Sequence, residues 1–547
     1  MRQRRLRPPR NGTSLDARPF VLGEDTCDLD AFIAVSRGNR TVRLGETGRA
    51  RVEASLKLRR RLEDGERRVY GINTGFGRLA DTLIPAAQRA QLQTNLVRSH
   101  AVGWGEPLPR DAVRGMIFLR AASLAHGCSG VRPEVIEQLL WLLASDLHPF
   151  VPSRGSVGAS GDLAPLAHLA LVLLGEGQVL EPDGRRITGA AALAARRRAP
   201  LRLEAKEGLA LINGTQFMNA LGLLAVDRAE RLLRWAALAA ALSYEGLEAS
   251  VAPLGARYHA LRPHPEIAAF AAALDALLAG SPIVQAHGNC PRVQDPYSVR
   301  CAPQVLGASL GSLRRARAVL LCEAASVTDN PLLLPESGEA ISGGHFHGQP
   351  LALALDGLAL AACEIGSVAE RRIALFMNGN GGRLPRFLAA RPGFESGLMI
   401  AQYLAAALVS ESKTSVFPAS ADSIPTSDGQ EDHVSMGSVA ALRLGPLLDR
   451  VEAVVALELL AAGRALQFLI DPGLWSERAQ PPLRPAVWTG RLLAALAGAI
   501  DLAPGDRTLT EDLERIIALV RDETTLADFA APLRALDPPG AATEGAV

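Results

Sequence analysis

Between Gly155 and Leu169 the chain reads G-S-V-G-A-S-G-D-L-A-P-L-A-H-L, centred on Ala159-Ser160-Gly161. Three small residues in a row let a backbone fold back on itself. Attack of the Gly161 nitrogen on the Ala159 carbonyl would close a five-membered ring. Loss of water from that ring and from the Ser160 side chain would leave an exocyclic methylidene. The product is 4-methylideneimidazol-5-one (MIO), an electrophile made from the chain itself. Asp162 is a suitable cap for a following helix, and Pro165 suits its first turn. The ring would then sit at a helix N-terminus, where the dipole favours electron density on the electrophile. An Ala-Ser-Gly triplet alone is expected by chance in a chain this rich in Ala and Gly; its fifteen-residue context is more specific.

Other polar residues stand in equally distinctive surroundings. Tyr70 opens the glycine-rich loop Y-G-I-N-T-G-F-G, and His100 closes the stretch L-Q-T-N-L-V-R-S-H. Asn213 lies in K-E-G-L-A-L-I-N-G-T-Q, and Gln294, Tyr297 and Arg300 lie in V-Q-D-P-Y-S-V-R-C. Asn330 falls in the turn T-D-N-P, Phe346 in I-S-G-G-H-F-H-G, and Glu431 in Q-E-D-H-V-S-M-G. Taken singly, each has an ordinary structural explanation. Together, and in this order, they resemble the MIO-dependent aromatic amino-acid ammonia-lyases, in particular the histidine ammonia-lyase family, from about Tyr70 to Gly437.

That resemblance implies a reaction, carbon–nitrogen lyase chemistry, and a role for each residue. Ala159, Ser160 and Gly161 would supply MIO as the cofactor, with no metal. Tyr70 would take the β-proton. A free tyrosine, with a pKa of about 10, is too weakly ionised for this at neutral pH, so its surroundings are expected to lower that value. Asn213 would donate to the MIO oxygen, where negative charge develops. Arg300 would clamp the substrate carboxylate through two parallel donors, supported by Tyr297 and Gln294. His100 and Glu431 would bracket an imidazole, Phe346 would line the pocket, and Asn330 belongs to the same substrate-binding set. Elimination of ammonia from L-histidine to trans-urocanate is the implied activity. Addition of the amine to the methylidene and attack by the ring carbons both remain open as mechanisms. A lyase or 2,3-aminomutase acting on tyrosine or phenylalanine is an alternative, as is a non-catalytic structural homologue. Four positions depart from the family pattern: His345 and Gly429 stand where Asn is usual, Phe417 where His is usual, and Trp104 where a smaller aliphatic residue is usual.

The elements that must position these residues read as helices. Apolar residues make up 48% of the 547-residue chain and aromatics only 4%, which favours close-packed helices of Ala, Leu and Val. Helices are predicted at Asp28–Arg37, Glu46–Glu63, Arg110–His126 and Pro133–Ser145, with a hairpin over Val179–Thr188. Four long ones follow, at Phe217–Glu248, Pro303–Val327, Gln349–Phe376 and Gln430–Gln467, with a shorter one at Gly397–Lys413. Patterns of such length imply a bundle. The fold class is therefore all-α, a fumarase/aspartase-like long-helix bundle behind an MIO-bearing part, and the resemblance adds a homotetramer with shared active sites. The expected division is a basic tail at 1–20, an N-terminal domain at 21–215, and the bundle with C-terminal helices at 216–547. A net charge of +1 argues against nucleic-acid or anionic-membrane partners. No apolar run reads as a convincing membrane span. The six cysteines include no C-x-x-C pair, which fits reduced thiols in the cytoplasm. His345, His347 and His433 match no zinc spacing.

Overall fold

The computed structural model describes residues 18–65, 68–77, 80–285, 293–475 and 481–538. Most of the basic tail and Cys290 lie outside the described residues. The expected all-α class holds. The longest helices are Gln216–Gly246, Ala302–Ala324, Gln349–Met377 and Leu444–Ile470, of 31, 23, 29 and 27 residues. Leu444–Ile470 buries nearly all its Val, Leu and Ala residues together with Glu452, Glu458 and Arg464, which is what a helix apolar on most sides does. Two helical stretches, Gln349–Met377 and Gly437–Ile470, are long and apolar enough to cross a bilayer. The apolar windows are 67% and 83% buried within the protein, as core helices are.

Strands are short and local. Phe20–Leu22 pairs in parallel with Val42–Leu44, so Phe20, at the end of the expected tail, is part of the packed structure. The hairpin forms as predicted, Gln178–Leu180 against Arg186–Thr188, with His148–Pro149 added on its edge. Trp104–Pro107 pairs antiparallel with Pro152–Arg154.

One predicted element fails. Gln430 does not open a helix: Thr426 and Glu431 form an isolated antiparallel bridge, and helix begins only at Gly437. Ser427, Asp428 and Met436 all have positive φ, and Gly429 does too. A right-handed helix cannot pass through such residues. Gly429 is therefore compatible with the Asn usual there, since both residue types adopt this conformation.

The chain forms two compact units, each assembled from three stretches. The first comprises residues 1–224, 319–353 and 419–442, the second 225–318, 354–418 and 443–547. A single cut near residue 215 does not describe this interleaving.

Candidate active site

Ala159, Ser160 and Gly161 belong to the first unit and run directly into the Leu163–Leu173 helix. Gly161 has φ +72, and it pairs with Gly214 in a parallel bridge. A Cβ at Gly161 would collide with the Gly214 backbone, so only glycine fits there. Asp162 does not cap its own helix through its side chain, contrary to the sequence expectation. Its carboxylate instead accepts the Phe217 and Met218 N–H groups, at 3.1 and 3.0 Å, and the Ser156 hydroxyl at 3.0 Å. Phe217 and Met218 lie in the first turn of the Gln216–Gly246 helix, whose N–H groups have no acceptor within the helix. Burial pushes the Asp162 carboxyl up to about 7, against the pull of these donors.

The segment fits MIO formation. In the cyclised product the Ser160 carbonyl is the oxygen the ring retains, and the Asn213 amide Nδ2 donates to it at 2.8 Å. The Asn213 Oδ1 is buried with no hydrogen-bond partner among the described residues, leaving an acceptor for a donor brought to this point. The Asn213 backbone carbonyl receives Arg120 Nη1 at 2.6 Å, and the same nitrogen reaches Gln216 Oε1 at 3.2 Å. Arg120 is fully buried, which holds its guanidinium down at about 10. Nearby in sequence, Lys206 and Asp329 form a 2.7 Å ion pair with neither side chain exposed.

The Ser160 hydroxyl donates to Glu431 Oε1 at 3.0 Å. The other carboxylate oxygen receives the Thr426 hydroxyl at 2.5 Å. Glu431 thus sits in a bridged loop beside Ser160 and stabilises no helix N-terminus. Its charge also reaches Tyr70 and His100, tending to raise both. For His100 burial prevails and lowers its pKa below 6.5. Its Nδ1 lies 2.8 Å from the Leu96 carbonyl, which can only accept, so the proton is on Nδ1 and Nε2 carries the lone pair.

Tyr70 departs from the sequence expectation. Its hydroxyl oxygen accepts the Gly77 N–H at 3.2 Å, which favours ionisation, but burial is the larger effect and raises the phenol above its ordinary value of 10. Phe76 packs edge-on against its ring. Asn330 uses its side-chain oxygen to hold the Gly343 N–H, at the base of the loop that carries Phe346. Phe346 is half-buried, and His345 beside it is exposed; burial raises the Glu323 carboxyl above its ordinary value. Glu323 in turn receives the Thr215 hydroxyl at 2.6 Å. The His347 and His433 rings stack with centroids 5.9 Å apart, and among the described residues no group of three or more metal-ligating side chains occurs. Trp104 and Phe417 are 74% and 78% exposed.

Gln294, Tyr297 and Arg300 belong to the second unit. Gln294 and Tyr297 are exposed, and the Arg300 guanidinium stacks over the Tyr297 ring, 4.7 Å from its centroid. The sequence reading did not single out Arg120, Asp162, Asp329 or Thr426 as site residues. Lys206, one of few lysines in the chain and set in the same motif as Asn213, carried a visible signal, as did Asp162 next to Gly161 and Asp329 next to Asn330.

The aromatic amino acid lyase family model matches residues 27–483. The chain belongs to this family. It is 46% identical to the histidine ammonia-lyase of Gloeobacter violaceus over 516 residues, 94% of this chain and 98% of that one. Among solved structures, histidine ammonia-lyase from Trypanosoma cruzi superposes with a TM-score of 0.84 at 37% identity, covering 95% of this chain and 96% of that chain. Tyrosine aminomutase from Streptomyces globisporus gives 0.85 at 34% identity, covering 94% and 98%. Membership of the aromatic amino acid lyases makes this protein a carbon–nitrogen lyase for a small aromatic amino acid, and it implies an MIO group.

Proposed function

We infer that the protein eliminates ammonia from L-histidine to give trans-urocanate, with MIO formed from Ala159, Ser160 and Gly161. The observation that carries the choice of substrate is Glu431: its carboxylate lies against Ser160 and within electrostatic reach of both Tyr70 and His100. A neutral imidazole has one N–H, which can donate to the Glu431 carboxylate or to the His100 Nε2 lone pair; a phenyl ring can donate to neither. The chain is also more alike in sequence to histidine ammonia-lyase, at 46%, than to tyrosine aminomutase, at 34%.

MIO would supply an electrophile that assists loss of ammonia, either by taking up the amine or by acidifying the β-hydrogen. The chain's own residues do the rest. Asn213 Nδ2 donates to the oxygen on which charge builds, and its Oδ1 is free to accept from the substrate ammonium. Arg300 holds the carboxylate, with Tyr297 and Gln294 beside it. Phe346 packs on the substrate, and Asn330 fixes the loop that carries it. Tyr70 takes the β-proton. Burial and Glu431 oppose its ionisation, and an ammonium group bound nearby favours it. We further propose a homotetramer with shared active sites and a cytoplasmic setting. The exposed Ile400, Tyr403 and Leu404 on one helix support the first, and the free thiols of Cys27, Cys128, Cys301, Cys322 and Cys363 support the second.

The test is kcat/KM for L-histidine, L-phenylalanine and L-tyrosine on wild type and Glu431→Gln, with the intact mass of each protein. The expected wild type is lighter by two water molecules than the translated chain and prefers L-histidine by roughly 10⁴-fold, the discrimination open to a site built around a substrate N–H. Glu431→Gln lowers histidine turnover by more than about tenfold and leaves folding intact. A wild type that prefers phenylalanine or tyrosine refutes the assignment.

A further inference from the structure

The turn that carries Tyr297 and Arg300 is a helix of only four residues. So short a helix cannot fix its own orientation, because nucleation is unfavourable and few internal bonds form. Its orientation is set from outside by residues of three of the long helices, Tyr244, Arg372 and Glu458, all of them in the second unit.

From the Gln216–Gly246 helix, the buried Tyr244 hydroxyl donates to the Val299 carbonyl at 2.7 Å. From the Gln349–Met377 helix, Arg372 Nη1 donates to the Ser298 carbonyl at 3.2 Å. Arg372 is held side-on by Glu458 of the Leu444–Ile470 helix, with Nε–Oε1 at 2.5 Å and Nη2–Oε2 at 2.8 Å. Neither side chain of that pair is exposed. The Ser243 hydroxyl adds a further 2.6 Å bond to Glu458 Oε1. Just ahead of the turn, the Asp295 carboxylate accepts the Ser250 N–H at 2.7 Å.

A buried ion pair gives little net stability compared with well-packed apolar residues of the same volume. This one ends on a backbone carbonyl two residues from Arg300. Arg300 and the Tyr297 ring it stacks on share the same turn, so rotating the turn moves both. Bidentate recognition of a carboxylate tolerates only small errors of direction. We propose that Tyr244, Arg372 and Glu458 are positioning residues that aim the Arg300 guanidinium and so set the affinity for the substrate carboxylate. The proposal rests on Arg300 being the carboxylate ligand.

Two competitive ligands test it: urocanate, which bears a carboxylate, and L-histidinol, in which that group is reduced to an alcohol. Arg300→Lys, measured alongside, weakens urocanate by at least about tenfold and leaves L-histidinol within about twofold. Tyr244→Phe removes one hydroxyl and keeps the ring; it weakens urocanate by about five- to tenfold, again sparing L-histidinol. KM for L-histidine rises by the same factor, and kcat changes less. Glu458→Gln keeps the shape, removes the charge and gives the same pattern. If Tyr244→Phe and Glu458→Gln leave urocanate unchanged, or weaken both ligands equally, the positioning role is refuted. If Arg300→Lys itself spares urocanate, Arg300 is not the carboxylate ligand and the reading beneath the proposal falls with it.

Discussion

Glu431 and His100 show how much a single hydrogen bond decides at this site. The Leu96 carbonyl accepts a hydrogen bond from His100 Nδ1–H, and burial keeps the ring neutral, so Nε2 can only accept. Protonation at acid pH would turn that acceptor into a donor and set it against an imidazole N–H. Because the pKa is lowered from 6.5, the neutral ring persists through neutral pH and is lost only below that value. In the proposed chemistry, kcat/KM for L-histidine therefore falls on an acid limb below pH 6.5, and His100→Gln flattens that limb while lowering the plateau. A pH profile of both proteins checks this; an unchanged limb in the variant removes His100 from it. Both residues were legible in sequence through their motifs. The carboxylate's actual partners, Ser160 and Thr426, were not, since Ser160 lies 271 positions away.

At the scale of elements, Asp162 links the Ala159–Gly161 segment to a distant helix. Its carboxylate receives two N–H groups of the Gln216–Gly246 helix, so the reactive segment and that helix start are fixed to each other. The pKa carries a sign. It is raised from 3.8 to about 7, so protonation favours the folded state. The stability this group contributes is full below pH 3.8 and is lost as pH rises through about 7. Asp162→Asn cannot ionise, so its melting temperature should gain on that of wild type between those two limits. Parallel thermal melts across that range check the direction, and a difference independent of pH contradicts it. Sequence spacing placed Asp162 at a helix start correctly but chose the wrong helix to cap, because a cap from a remote residue leaves no local pattern. The stretch after Gln430 failed for a related reason: its apolar periodicity continues into a real helix, while positive φ at Met436 postpones the start.

Across the whole molecule, the Met399–Thr414 helix leaves Ile400 and Tyr403 64% and 62% exposed. Leu404 is 40% exposed as well, and Ile400, Tyr403 and Leu404, three and four positions apart on one helix, make an apolar face that a monomer rarely leaves open. The proposed homotetramer covers it. Light scattering should give a mass of four chains, and replacing Ile400 and Tyr403 by Asp should release smaller species with lost activity. A fully active monomer defeats the proposal.

Residue types and their spacing were enough for the all-helical class and most helix bounds, and for marking Ala159-Ser160-Gly161 as the candidate reactive segment. Small residues in a row, Ala–Leu periodicity and glycine-rich loops are local properties, and local properties are what a linear pattern holds. It took the packed chain to bring Glu431 to the Ser160 hydroxyl, to turn Asp162 to a remote helix start, and to raise the Tyr70 phenol by burial instead of lowering it. The same holds for the buried Arg372–Glu458 pair behind the Tyr297–Arg300 turn. Each depends on which groups are desolvated together and which charges face each other across long separations in the chain. Those are properties of packing, set only once the helices have closed on one another.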